Sequence, residues 1–175
     1  LHDMDLYKFG VILSLYTGIR VGELCALQWE DISLSNSILK VRKTMQRIQD
    51  TNVGATAKTK IIITEPKSQC SIRDIPLPAF IVDIAKQFAD APKAFILSGE
   101  KKKYIEPRTM QNRFKALVVE SKIDDANFHC LRHTFATRCV EVGFEIKSLS
   151  EILGHANVNI TLNRYVHSSF DLKYS

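Results

Sequence analysis

The chain has 175 residues, 45% of them hydrophobic and 25% charged, which is enough for one domain with a real core. No apolar run approaches the ~20 residues of a membrane span, and Leu1-His2-Asp3-Met4-Asp5 has no signal-peptide character. A formal net charge of +5 and a pI of about 9.0 admit a polyanionic partner without requiring one.

Leu6, Phe9, Leu13 and Tyr16 recur at helical spacing, so residues 4–16 are expected to form an amphipathic helix. Thr17-Gly18 breaks it, and a second helix starts near Arg20, with Leu24, Leu27 and Trp29 as core candidates. Residues 38–41, 61–64 and 71–75 read as strands of one small antiparallel sheet. The polar stretch Asp50 to Lys60, with Gly54 inside it, reads as an extended hairpin loop. Pro78 opens a helix with Ile81, Ile84, Ala85 and Phe88 inward. Pro107 opens the next, with Met110, Phe114 and Leu117 inward. A further helix runs from about Asn127 and stops at Gly143. Short helices over 146–153 and 157–166, separated by Gly154, close the chain. The fold class expected is mostly α with a small three-stranded antiparallel sheet, an α+β domain covering 1–175. The start at Leu1 without a methionine reads as a fragment of a longer protein. Cys25, Cys70, Cys130 and Cys139 show no CxxC pair. Cys130 and Cys139, on one predicted helix at about 1.5 Å per residue, stand roughly 13 Å apart, too far for a disulfide. A reduced, cytoplasmic protein is therefore expected.

Several side chains stand in local frames suited to phosphate chemistry. Arg20 follows Thr17-Gly18 at a helix start, where free N–H groups and the dipole already favour an anion. Taken alone, it reads better as a surface arginine paired with Glu23 one turn on. His129 and Arg132 lie three apart on a helix and share a face. His133, four after His129, raises a zinc reading, but Cys130 stands where the metalloprotease pattern requires glutamate. Lys67, after Pro66 in a predicted turn between strands, is by itself a solvated lysine; a hairpin tip also suits a general acid that must reach into a duplex. Ser71 and Arg73 can serve phosphates without touching the chemistry. Tyr165 sits among Arg164 and His167, with His155 upstream behind a glycine, and that polar setting favours a partly exposed phenol.

In this order, the frames resemble the catalytic domain of the tyrosine recombinases, the lambda-integrase family, and most of all integrases of phages and conjugative transposons. The resemblance rests on Thr17-Gly18-Ile19-Arg20 through Ile32, on His129-Cys130-Leu131-Arg132-His133-Thr134-Phe135-Ala136-Thr137, and on Leu153-Gly154-His155 through Tyr165-Val166-His167. Pro66-Lys67 with Ser71-Ile72-Arg73-Asp74-Ile75-Pro76-Leu77 matches the family's lysine-bearing hairpin. It implies that Arg20, Lys67, His129, Arg132, His155 and Tyr165 are catalytic, with Tyr165 the nucleophile, Arg73 and Arg164 on DNA, and no metal, cofactor or ATP. It further implies double-stranded DNA as substrate, sister protomers assembled as a tetramer on DNA, accessory DNA-bending proteins, and core-binding and arm-binding domains ahead of this one. The C-terminal segment, with Phe170, Leu172 and Tyr174, is expected to dock in cis or on a neighbouring protomer. The alternatives are a type IB topoisomerase, which reseals the same strand, a non-catalytic DNA-binding module of the same fold, and a zinc hydrolase.

Overall fold

Helix α1 (Leu6–Thr17) forms where the apolar spacing predicts it, and Asp5 starts it. The Asp5 carboxylate accepts from the Tyr7 and Lys8 amides at 2.9 and 2.7 Å, a cap worth about 1 kcal/mol. Phe9 and Leu13 are fully buried, and each contributes about 1.5–3 kcal/mol by leaving water. Phe9 packs on Trp29 and Phe88, with ring centroids 6.0 and 6.2 Å away.

The computed structural model describes residues 4–52, 57–66 and 68–166. The expectations attached to Lys67 and to the segment after Val166 lie outside the described residues. After α1 come α2 (Val21–Ala26), β1 (Ile32–Ser33), β2 (Ile38–Val41), β3 (Thr44–Gln49), β4 (Thr59–Thr64) and β5 (Arg73–Pro76). Helices α3 (Ala79–Phe88), α4 (Pro107–Glu120), α5 (His129–Glu141), α6 (Ile146–Leu153) and α7 (Val158–Thr161) follow, and a π-helical turn (Leu162–Val166) closes the described chain.

The strands sort differently from the sequence expectation. Among the described residues, β1, β2 and β5 form an antiparallel sheet with β2 in the middle, while β3 and β4 form a separate hairpin. The expected strand at 61–64 therefore pairs not with 38–41 but with Thr44–Gln49, which the sequence did not reveal as a strand. The reason lies in its pattern: Met45 is buried, Gln46 and Arg47 are exposed and Ile48 is half-buried, so no alternation survives. The polar stretch at 50–60 does close a hairpin, with the Asp50 amide donating to the Lys58 carbonyl at 3.0 Å. β4 begins at Thr59, inside the expected loop.

In the three-stranded sheet, Leu39 pairs with Ile75 and Val41 with Arg73, and all four are buried. The helices follow the sequence reading: Ile81, Ile84, Ala85, Met110 and Phe114 are in the core, with Phe88 and Leu117 half-buried at its edge. Helix α1 packs on α3 and α5, and α6 packs on β5 and α5. A small second core of Ala136, Leu149, Leu153 and Tyr165 joins α5, α6 and the π-helical turn. No helix among the described residues is long and apolar enough to cross a membrane.

Candidate active site

Arg132 is the centre of the site. Its side chain is 2% exposed. Nη1 donates to the Gly18 carbonyl at 2.6 Å, and Nη2 donates to the Leu153 carbonyl at 2.6 Å. Two glycines deliver those carbonyls. Gly18 closes α1 at φ +66°, and a Cβ there would lie 2.6 Å from the Phe135 ring. Gly154 closes α6 at φ +66°, where a Cβ would crowd the Cys70 carbonyl at 3.2 Å. The turn at Gly154 places His155, whose Nε2 lies 3.0 Å from Arg132 Nη2 and whose Nδ1 lies 2.8 Å from Thr161 Oγ1. A guanidinium only donates, so Nε2 accepts and Nδ1 carries the proton toward Thr161. Burial, then the charges of Arg132, Arg20, Arg164 and Arg73, push His155 down to about 4. Burial and the Arg20 charge likewise lower Arg132 to about 10, which leaves it cationic at neutral pH.

This makes a pH prediction. A folded value near 4 below an ordinary 6.5 means that His155 contributes stability that is full above pH 6.5 and is lost as pH falls toward 4. Ring-nitrogen NMR of the free protein is expected to show His155 neutral, protonated on Nδ1, at pH 6. Titration near 6.5 would contradict the arrangement.

Arg20 stands at the N-cap of α2, and its side chain is 41% exposed. Its amide donates to Glu23 Oε2 at 2.8 Å and its Nη1 to Glu23 Oε1 at 3.1 Å. The pairing with Glu23 and the place in the site thus coexist. Glu23 itself is buried. Burial raises its carboxyl, but the hydrogen bonds and charge of Arg73, with help from Arg20, outweigh that and hold it below the usual carboxylate range. Arg73 is placed inside the fold. It was expected on DNA, yet it is 8% exposed and its guanidinium is committed to Glu23, Ser71 and Ile152. Ile75, two residues on, faces the core, so the pleat turns Arg73 inward as well.

On α5, the His129 and His133 rings meet edge-on at 4.6 Å, and His133 meets the Tyr165 ring at 5.5 Å and 61°. Burial and neighbouring cations lower both histidines, which keeps them neutral and able to accept a proton at neutral pH. Among the described residues no third His, Cys, Asp or Glu joins the pair in a metal-binding group. Tyr165 departs from its expected exposure. It is 2% exposed rather than partly open, because the π-helical turn drops its ring among Ala136, Leu149 and Leu153. Such turns recur at functional sites. Arg164 is exposed beside it, and its charge reaches His129, His133 and His155.

Glu23, Thr161 and His133 belong to the site's framework, and the sequence reading gave none of them a role in it. Glu23 at i+3 from Arg20 and His133 at i+4 from His129 were visible as spacing signals. Thr161 stood within the segment from His155 to Tyr165, but only the fold brings it under His155.

The fold and the cluster define a class: a cationic cluster of arginines and histidines with a tyrosine on the adjoining turn. The chain belongs to the phage integrase family, whose pattern its residues 4–171 match, and its fold is that of the tyrosine recombinase catalytic domain. It is 29% identical over 172 residues to a XerC-like tyrosine recombinase of Caldanaerobacter subterraneus subsp. tengcongensis, covering 89% of this chain and 44% of that one. It is 29% identical over 180 residues to the transposase from transposon Tn916 of Enterococcus faecalis, covering 92% of this chain and 42% of that protein. Among solved structures it resembles the Tn1549 transposon integrase in complex with a circular intermediate DNA, with a TM-score of 0.72, 26% identity, and coverage of 91% of this chain and 54% of that one. The chain spans about half the length of the curated relatives it matches.

Proposed function

We propose that this chain is the single catalytic domain of a site-specific DNA recombinase that integrates or excises a mobile element. What carries the reading is the clustering of candidate residues around one buried guanidinium. Arg132 is hydrogen-bonded to His155, and its guanidinium lies within electrostatic reach of Arg20 and of the Tyr165 side chain. The named relatives support it, a transposase and a transposon integrase held with circular intermediate DNA among them.

In the proposed reaction the Tyr165 oxygen attacks the scissile phosphate. The Oη–P bond forms, the P–O5′ bond breaks, and a 3′-phosphotyrosine and a free 5′-hydroxyl result. His129 takes the phenol proton, and Lys67 gives a proton to the leaving 5′-oxygen. Arg20 and Arg132 stabilise the pentavalent phosphorane, where negative charge grows. The incoming phosphate draws Arg132 from His155 Nε2, which then takes up a proton from solvent and donates to a non-bridging oxygen. A 5′-hydroxyl from a partner strand reverses the step and releases Tyr165. The covalent intermediate keeps the bond energy, so the scheme calls for no ATP. Because Tyr165 is buried, DNA binding must shift the π-helical turn before attack. The proposed setting is cytoplasmic, with double-stranded DNA, sister protomers assembled as a tetramer, and accessory DNA-bending proteins as partners.

Incubation with a pool of nicked random-sequence duplexes in EDTA tests the reading. A covalent protein–DNA adduct is expected, and transfer of the cut strand to a second duplex separates a recombinase from a topoisomerase. No adduct under these conditions would overturn it. Non-specific binding should weaken steeply with salt, at a slope near −0.9 per phosphate contacted. A salt-independent affinity by fluorescence anisotropy would argue against phosphate-dominated contact.

A further inference from the structure

The Arg73 guanidinium has no share in the chemistry above, yet its hydrogen bonds reach the segments that carry that chemistry. Nη1 donates to Glu23 Oε1 at 3.0 Å and to the Ser71 carbonyl at 3.0 Å, and Nη2 donates to Glu23 Oε2 at 2.9 Å. Nε donates to the Ile152 carbonyl. The Arg73 and Glu23 side chains are 5% and 3% exposed. Each of these partners leads into the site. Glu23 holds the Arg20 amide and its Nη1 at 2.8 and 3.1 Å. Ile152 is in the last turn of α6, where the next residue, Leu153, gives its carbonyl to Arg132 and the Gly154 turn then places His155. Ser71 lies on the stretch that joins Lys67 to β5. At Gly154 a Cβ would stand 3.0 Å from Arg73 Nη1, so the turn closes directly over the guanidinium.

A buried ion pair contributes little net stability compared with apolar packing, and its best-attested use is to fix one geometry. The planar guanidinium fork suits that use, because it fixes direction as well as distance. We infer that Arg73 is a positioning residue for strand cleavage: through Glu23 and the Ile152 carbonyl it sets Arg20 and the His155 turn in one frame, and it touches no DNA. This rests on the recombinase reading above.

The test is single-turnover adduct formation on the nicked duplex pool at saturating DNA, with anisotropy binding measured alongside at several salt concentrations. Arg73→Met is expected to slow cleavage by about 10²-fold, the scale of a displacement near 1 Å in an active site. Its DNA affinity and salt slope should match those of the wild type. Arg73→Met strands a buried carboxylate, so Arg73→Lys, which keeps a cation beside Glu23 without the fork, is measured beside it and should also cleave slowly. Weaker binding with a salt slope reduced by about 0.9 would make Arg73 a phosphate contact and overturn the inference. Wild-type cleavage by folded Arg73→Lys would overturn it too. Wild-type and Tyr165→Phe proteins run in parallel. If the wild type forms no adduct, or Tyr165→Phe forms one, the recombinase reading fails, which is a separate result from any change at Arg73.

Discussion

Tyr165→Phe is expected to abolish the covalent adduct while leaving fold and DNA binding close to those of the wild type. The phenol oxygen is the atom that bonds to phosphorus in the proposed reaction, and no neighbouring hydroxyl stands on the same turn to replace it. The ring is what the fold uses: it packs among Ala136, Leu149 and Leu153 and meets His133 at 5.5 Å. Phenylalanine keeps that packing. The measurement is a denaturing gel of protein with nicked duplex, next to an anisotropy titration and a thermal melt. An adduct of normal yield from the Phe variant would remove Tyr165 from the chemistry.

The second large effect is expected at Lys67. If its ammonium protonates the leaving 5′-oxygen, Lys67→Ala should lose about 10²–10⁴ in cleavage rate. A duplex with sulfur in place of the bridging 5′-oxygen needs little proton assistance, because a thiolate leaves readily. That substrate should restore most of the lost rate to Lys67→Ala and change the wild type much less. Equal loss on both substrates would reassign Lys67 to phosphate binding or positioning.

The contrast between Arg132 and Arg73 shows what the sequence could convey. Arg132 was readable because helical spacing links it to His129, and Gly154-His155 stands in a frame of its own. The burial of Arg73 was not foreseen, because its charge was weighed without its register. Ile75 belongs to the core face, and the period of two places Arg73 on that face too. Tyr165 was misjudged for a related reason. Its chain neighbours Arg164 and His167 are polar, but its spatial neighbours Leu149 and Leu153 come from α6, which no local pattern reveals. Helices α1, α3 and α4 were legible, since their apolar residues recur with the period of the structure they form. The second helix was read too long, for α2 ends at Ala26 and Trp29 lies in a 3-10 turn. Thr44–Gln49 was not legible, because a hairpin strand with Met45 inward and Gln46 and Arg47 both outward carries no period at all. Glu23 lay in plain view one turn from Arg20. Its role depends on Arg73, fifty residues away along the chain, and only the fold joins them.

The central claim, a DNA strand joined through its 3′-phosphate to Tyr165, is tested most directly on the adduct itself. Proteolysis of the covalent complex followed by mass spectrometry of the DNA-bearing peptide identifies the linked residue, and end-labelling of the released strand identifies its terminus. The account predicts a single phosphotyrosine at Tyr165 and a free 5′-hydroxyl on the released strand. Linkage to any other residue, or a 5′-phosphate joined to the protein, would contradict it.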